Sequence, residues 1–231
     1  MNKITIVGTG SVGSTIAYTL TVSGLASEIV MIDINGEKAM GEALDIRQGT
    51  PFCSSCSLYA GSYADAVNSN IVIITSGVGR KPGQSRLDLA QINVNITKMI
   101  IPNITKYAPD ATYIIVSNPV DILTYTFCKY SGLPQERIIG SGTILDTARL
   151  RSRLSEYYSI NQQNVHAYVL GEHGDSSFVA WSTATIAGVP LDEYVGAIAT
   201  PINLVNEYKR EDVETYVKKS GGKIISRKGC T

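Results

Sequence analysis

The feature that most constrains this chain is Gly8-Thr-Gly10-Ser-Val-Gly13, which follows a short apolar run at residues 4–7 and opens a proline-free stretch at 11–22. In that stretch Val12, Ile16 and Leu20 recur at helical spacing, and residues 29–32 are apolar again. Strand, glycine turn, helix and strand in that order form a βαβ unit, which requires a parallel sheet. The pattern repeats with an apolar run at 71–75, a helix over 87–107 and a run at 112–117. Leu89, Ile92, Ile96, Met99 and Ile100 keep to one side of that helix, and we read the stripe as sheet packing.

A GxGxxG motif alone is weak evidence, but its context here is specific. The first glycine allows a tight turn, the second lets a pyrophosphate approach the backbone, and the third lets helix and strand touch. The helix N-terminus adds unpaired N–H groups and partial positive charge. Asp33 ends the second strand 20 residues beyond Gly13, where a carboxylate can accept hydrogen bonds from ribose hydroxyls. It would repel the additional phosphate of NADP, and no arginine follows it in Ile34-Asn35-Gly36, so the expected cofactor is NAD. Gly8, Gly10, Ser11, Val12, Gly13 and Asp33 are the candidate cofactor-binding residues.

Composition supports a small-molecule site. Twenty basic and 20 acidic residues cancel, leaving no long-range field to gather nucleic acid or anionic lipid, and 44% apolar content over 231 residues excludes disorder. No apolar run approaches the ~18 residues of a membrane span, and the N-terminus does not read as a signal peptide, so a soluble cytoplasmic protein is expected. Of the four cysteines only Cys53 and Cys56 are close in sequence, a weak pattern for zinc or redox work that we read as incidental thiols. Residues 208–231 hold seven basic and three acidic side chains and read as a surface helix and strand, with an anion-binding patch as the alternative. Gly140-Ser-Gly-Thr143 is the best candidate boundary between a doubly wound α/β domain at 1–141 and a mixed α+β domain at 142–231.

Both histidines lie in the second half, within Asn164-Val-His166-Ala-Tyr-Val-Leu-Gly-Glu-His173-Gly-Asp. Histidine exchanges a proton near neutral pH. A lone histidine is more often structural, but Asp146 and Arg149 stand in Thr143-Ile-Leu-Asp146-Thr-Ala-Arg149, one turn apart on a helix that begins near Leu145. A carboxylate behind an imidazole fixes its tautomer and stabilises its cation.

Taken together, GTGSVGS with Asp33, TSGVGRKPGQSRLDLAQ, IIVSNPVD, GSGTILDTARLR and GEHGD resemble the NAD-dependent L-lactate/malate dehydrogenase family over the whole chain. The resemblance implies a Rossmann domain followed by a substrate domain whose C-terminal part is missing. It implies hydride transfer between nicotinamide and C2 of a 2-oxo or 2-hydroxy acid. By match to the family motifs His173 would exchange the proton with Asp146 as its partner, and Arg149 would clamp the substrate carboxylate in two hydrogen bonds. Arg86 would polarise the carbonyl, and Asn118 would orient both substrate and nicotinamide. Arg80 and Thr231 would complete the substrate contacts, and residues 76–85 would form a mobile loop that closes over them.

The substrate is divided between two readings. Arg80 occupies a position that is commonly arginine in the family's malate enzymes and glutamine in its lactate enzymes, and it can pair with a second carboxylate. The GEHGD form with Glu172, the SNPVDILTY segment and the terminal KGCT resemble lactate enzymes, and over the whole chain lactate is preferred. The resemblance further implies a homo-oligomer, a tetramer in lactate enzymes of this type, and places Arg151 and His166 on the positions that bind fructose 1,6-bisphosphate in allosteric bacterial members. A satisfied strand histidine is the equal alternative for His166. The rival to the enzyme is a non-catalytic NAD-binding fragment, because family members continue beyond the threonine matching Thr231; as written, the chain is expected to bind NAD with weak turnover and to leave apolar surface uncovered.

Overall fold

The computed structural model describes residues 2–79, 86–194, 196 and 209–229, with the side chain of Arg86 outside that set. It divides into two compact units, Met1–Ser141 and Gly142–Thr231.

The first unit is a six-stranded, wholly parallel sheet of β1 (Lys3–Val7), β2 (Glu28–Ile32), β3 (Ser57–Ala60), β4 (Ile71–Ile74), β5 (Thr112–Ile115) and β6 (Ile138–Gly140), in the order β3-β2-β1-β4-β5-β6. Helices α1 (Ser11–Val22), α2 (Gly36–Gln48), α3 (Arg86–Tyr107) and α4 (Val120–Ser131) connect the strands. Alternate strand residues feed opposite faces, as a period of two requires. Ile4, Ile6, Ile29, Met31 and Ile73 pack with Ala17 of α1 and Ala43 and Ile46 of α2. Val7, Val30, Ile32, Val72, Ile74 and Ile115 pack with Ile100, Ile101 and Ile104 of α3 and Leu123 and Phe127 of α4. A sheet covered on both faces with this strand order is the doubly wound Rossmann topology, and its crevice opens where the order reverses between β1 and β4.

Two helix faces differ from the sequence reading. In α1 the buried residues are Gly13, Ala17 and Thr21, whereas Val12 is 36% exposed and Ile16 and Leu20 only flank the contact. The helix lies so close to the β1 turn that small residues must face the sheet, and the larger apolar side chains move to the edges. In α3 the buried line runs through Ala90, Asn93, Thr97, Ile100, Ile101 and Ile104, while Ile92 and Met99 are 40% and 64% exposed. The apolar stripe read as sheet packing is therefore divided, and Ile96, Met99 and Ile100 line a crevice instead. Asn93 takes a core position because its polar groups find partners there.

The second unit is built on α5 (Ile144–Tyr158). Leu150, Leu154 and Tyr158 pack against Val165 and Ala167, against Val169, and against Val213 and Val217 of α7 (Arg210–Lys228). A three-stranded antiparallel sheet of β7 (Val165–His166), β10 (Thr185–Ile186) and β11 (Val189–Pro190) and a pair, β8 (Val169–Leu170) with β9 (Phe178–Val179), complete it with the single turn α6 (Leu191–Tyr194). Tyr157 and Trp181 pack at the edge of its core. The surface helix and strand expected of residues 208–231 are corrected among the described residues to one helix that runs through Gly221-Gly222 without a break. Each glycine costs helix propensity, and packing of Val213 and Val217 holds the segment helical. Ile144, Leu170 and Phe178 are exposed apolar residues of this unit.

Candidate active site

In the first unit the glycine loop joins β1 to α1. Gly8 takes φ +104°, a conformation that excludes a β-carbon, and one placed there would lie 2.6 Å from the amide nitrogen of Ser76. At Gly13 a β-carbon would lie 1.9 Å from the Gly8 carbonyl oxygen, so helix and strand touch at that point. At Gly10, which caps α1, nothing stands within 4 Å of the same construction, leaving room for a ligand beside the first turn carrying Ser11 and Val12. The hydroxyl of Thr75 donates to the Gly8 carbonyl at 2.7 Å and fixes the loop to the end of β4.

Asp33 stands at the end of β2 beside this loop. Its Oδ2 accepts from the backbone N–H of Thr9 at 2.7 Å and from the Thr9 hydroxyl at 3.1 Å, and its Oδ1 accepts from the N–H of Asn35 at 2.9 Å. Burial pushes this carboxyl up, but the Asn35 and Thr9 hydrogen bonds and the nearby Lys38 ammonium outweigh it, and the net direction is down. Asp33 is thus an ionised acceptor at neutral pH. It lines a crevice of about 520 Å³ together with Gly8, Gly10, Lys38, Tyr63 and Met99, a size suited to a cofactor. The hydroxyl of Ser76, another lining residue, is buried without a hydrogen-bond partner among the described residues. An ionised acceptor, open space at the second glycine and an orphaned hydroxyl fit a dinucleotide.

Tyr63, Lys38 and Met99 were not singled out as ligand contacts from sequence. Burial, then the Asp33 charge, raises the Tyr63 hydroxyl above its ordinary range and keeps it a neutral donor. None of the three carries a local motif; only the strand order brings them to one crevice. Asn118 follows β5, its Oδ1 accepting from the N–H of Val120 at 3.3 Å, which leaves the amide nitrogen for other partners. Arg86 opens α3, with its side chain outside the described residues; Arg80 and Thr231 lie wholly outside them.

In the second unit three predicted residues meet. Asp146, in the first turn of α5 and 5% exposed, places Oδ2 2.5 Å from His173 Nδ1 and accepts through Oδ1 from Arg149 Nη1 at 3.0 Å. Burial raises the Asp146 carboxyl, but the hydrogen bond and charge of His173, then Arg149, outweigh it and set its direction down. An ionised carboxylate only accepts, so the imidazole proton facing it sits on Nδ1 and proton exchange falls to Nε2. Arg149 Nε is buried without a partner among the described residues, a donor whose desolvation an incoming carboxylate would offset. Its guanidinium lies against α7, where a β-carbon on Gly221 would stand 3.3 Å from Nη2. The glycine there makes room for the cation.

No hydrogen bond joins Arg151 to His166 among the described residues. Arg151 donates through Nη2 to the Gln162 carbonyl at 3.1 Å, whereas His166 is exposed on β7 and its imidazole makes no hydrogen bond among the described residues. Cys53, Cys56 and Cys128 are free thiols, and no group of three metal-ligating side chains occurs among the described residues. Nor is any described helix long and apolar enough to cross a membrane.

Comparison with known proteins matches the same two halves. Residues 2–140 match the family model described as lactate/malate dehydrogenase, NAD binding domain, and residues 143–231 its alpha/beta C-terminal domain. An L-lactate dehydrogenase of Clostridium perfringens is 51% identical over 230 residues, covering 100% of this chain and 72% of the relative. One from Thermoanaerobacter sp. is 49% identical over 231 residues, covering 100% and 73%. Among solved structures, a lactate dehydrogenase from a Medee basin deep-sea metagenome library superimposes with a TM-score of 0.93 at 41% identity, covering 100% of this chain and 72% of that one. The minor L-lactate dehydrogenase of Enterococcus mundtii gives 0.92 at 42% identity, with the same coverage. With a Rossmann unit built around Asp33, an Asp146–His173 pair in the second unit and both halves matched, the chain belongs to the lactate/malate dehydrogenase family.

Proposed function

We infer that this chain is an NAD-dependent L-lactate dehydrogenase that interconverts pyruvate and (S)-lactate. The observation that carries the inference is the second-unit constellation, a carboxylate shared by an imidazole at 2.5 Å and a guanidinium at 3.0 Å. The reading is supported by relatives named L-lactate dehydrogenase at about half identity. Residues 1–141 serve as the cofactor domain and 142–231 as the substrate domain.

Reduction of pyruvate adds a hydride equivalent at C2 and a proton at its oxygen. When bound, NADH supplies the hydride. Gly8, Gly10, Ser11, Val12, Gly13, Asp33 and Asn118 hold the dinucleotide, with Asp33 accepting from ribose hydroxyls through the capacity its three protein donors leave. His173 delivers the proton to the nascent alkoxide from Nε2, and Asp146 holds the ring in that tautomer and stabilises its cation. Arg149 binds the substrate carboxylate with the donors Asp146 does not use. Arg86 offsets charge developing on the reacting oxygen, Asn118 hydrogen-bonds the substrate, and Arg80 and Thr231 are further substrate contacts. Residues 76–85, of which 80–85 lie outside the described residues, are the proposed loop over the substrate.

A malate dehydrogenase is the second reading, and Arg80 is the observation in its favour. Steady-state kcat/KM with NADH for pyruvate against oxaloacetate decides between them. Pyruvate is expected to win by at least tenfold, and the reverse preference assigns the chain to malate. In either case His173→Asn should remove turnover while NADH affinity changes less than about threefold; turnover near wild type would take His173 out of the acid/base role.

We further propose that Arg151 and His166 bind fructose 1,6-bisphosphate as an activator, with the exposed imidazole of His166 as the support for an anion contact. The working form is a homotetramer acting in fermentative glycolysis in the cytoplasm. Exposed apolar residues of the first unit, among them Tyr18, Val22, Met40 and Leu44, are suitable material for subunit contacts.

A further inference from the structure

Asn93 is the only asparagine in the buried line of α3, 2% exposed. Both ends of its carboxamide are engaged. Oδ1 accepts from the N–H of Val78 at 2.9 Å, and Nδ2 donates to the Val78 carbonyl at 3.2 Å and to the Asn118 carbonyl at 2.7 Å. Toward Val78 the side chain behaves as a neighbouring peptide group would, giving one hydrogen bond and taking one. Its second N–H reaches the segment after β5. Gly77 packs beside it, since a β-carbon there would lie 3.2 Å from Oδ1. The two segments are also linked by the Ser117 hydroxyl, which donates to the Ser76 carbonyl at 2.7 Å. Gly77 and Val78 form part of the crevice wall, and Asn118 carries the amide assigned to nicotinamide and substrate.

We propose that Asn93 is a positioning residue of the cofactor crevice, its single carboxamide holding the Val78 wall and the Asn118 backbone in one register. Two donors and one acceptor are needed in a space of this size, and among the standard side chains the asparagine amide supplies them at this length. Aspartate has the same shape but, when ionised, no donor, and it would face the carbonyls of Val78 and Asn118 with negative charge. Burial and those carbonyls favour its neutral acid, which can donate to one of them. Asn93→Asp should therefore be defective in a pH-dependent way, and a residue that merely fills space would not be.

The inference rests on NAD being the cofactor, and the wild type tests that part separately. NADH is titrated by fluorescence against wild type, Asn93→Asp and Asn93→Leu from pH 5.5 to 8.5, with circular dichroism and thermal melts to establish folding. Wild type should bind throughout. The Kd of Asn93→Asp relative to wild type should rise with pH, from near one to about tenfold, the scale of one lost buried hydrogen bond. Asn93→Leu should be weak by a similar factor at every pH. Wild-type-like binding by Asn93→Asp at pH 8.5, or a loss that does not vary with pH, overturns the proposal. Should Asn93→Leu not fold, the ratio for Asn93→Asp against wild type still decides, and failure of wild type itself to bind NADH would count against the NAD reading.

Discussion

Asp33, partly buried, and Asp146, buried, are both carboxylates held ionised, yet they are held by different means. Asp33 is surrounded by backbone N–H groups and a hydroxyl, with one exposed lysine at a distance. Asp146 is held by an imidazole and a guanidinium in direct contact. Neutral dipoles fix a carboxylate that is to accept hydrogen bonds from a ligand and leave it unchanged by the reaction. Charged partners suit one that must respond as a proton moves, because its pull on the imidazole grows when the imidazole becomes a cation. In the proposed function the first carboxylate serves recognition and the second serves chemistry.

The largest test of that contrast is Asp146→Asn. The amide keeps the shape but removes the charge and can favour the wrong tautomer of His173, so kcat for pyruvate reduction should fall by roughly 10²–10⁴ with NADH Kd little changed. Stopped-flow turnover and a fluorescence titration separate the two quantities, and a Kd loss equal to the kcat loss would erase the division of labour. Asp33→Asn should show the opposite partition. NADH affinity should weaken by about 10- to 100-fold, discrimination against NADPH should narrow, and kcat at saturating cofactor should stay within about threefold.

The smallest effect concerns pH. The folded carboxyl of Asp146 lies below its unfolded value of about 4, so its contribution to stability is complete above that pH and is lost as pH falls through the folded value. Urea midpoints of wild type and Asp146→Asn should therefore converge as pH is lowered from 5 toward 2.5. A constant gap would mean that the charge of Asp146 does not stabilise the fold.

The same contrast explains what could be read from sequence. The cofactor loop is built by backbone, so Gly8, Gly10, Gly13 and the distance to Asp33 betray it in a linear pattern. Asp146 and His173 are 27 residues apart and meet only after α5 and the segment following β8 have packed, and no periodicity announces that meeting. They were legible through the TILDTAR and GEHGD motifs. The helix faces of α1 and α3 differ from the sequence reading for one reason, that apolarity is an imperfect proxy for burial. Close approach puts Gly13 and Ala17 inward, hydrogen bonding puts Asn93 inward, and Met99 is left facing a crevice where a ligand can cover it.

The paired glycines of α7 carry a lesson for anyone seeking a hardier protein. Replacing a helical glycine with alanine commonly gains up to about 1 kcal/mol, and neighbours in one helix look interchangeable on that scale. Here they are not: a methyl group on Gly222 meets nothing within 4 Å, whereas one on Gly221 presses on the cation of Arg149. Robustness can be added freely at one position, and at the next it competes directly with the guanidinium proposed to grip the substrate.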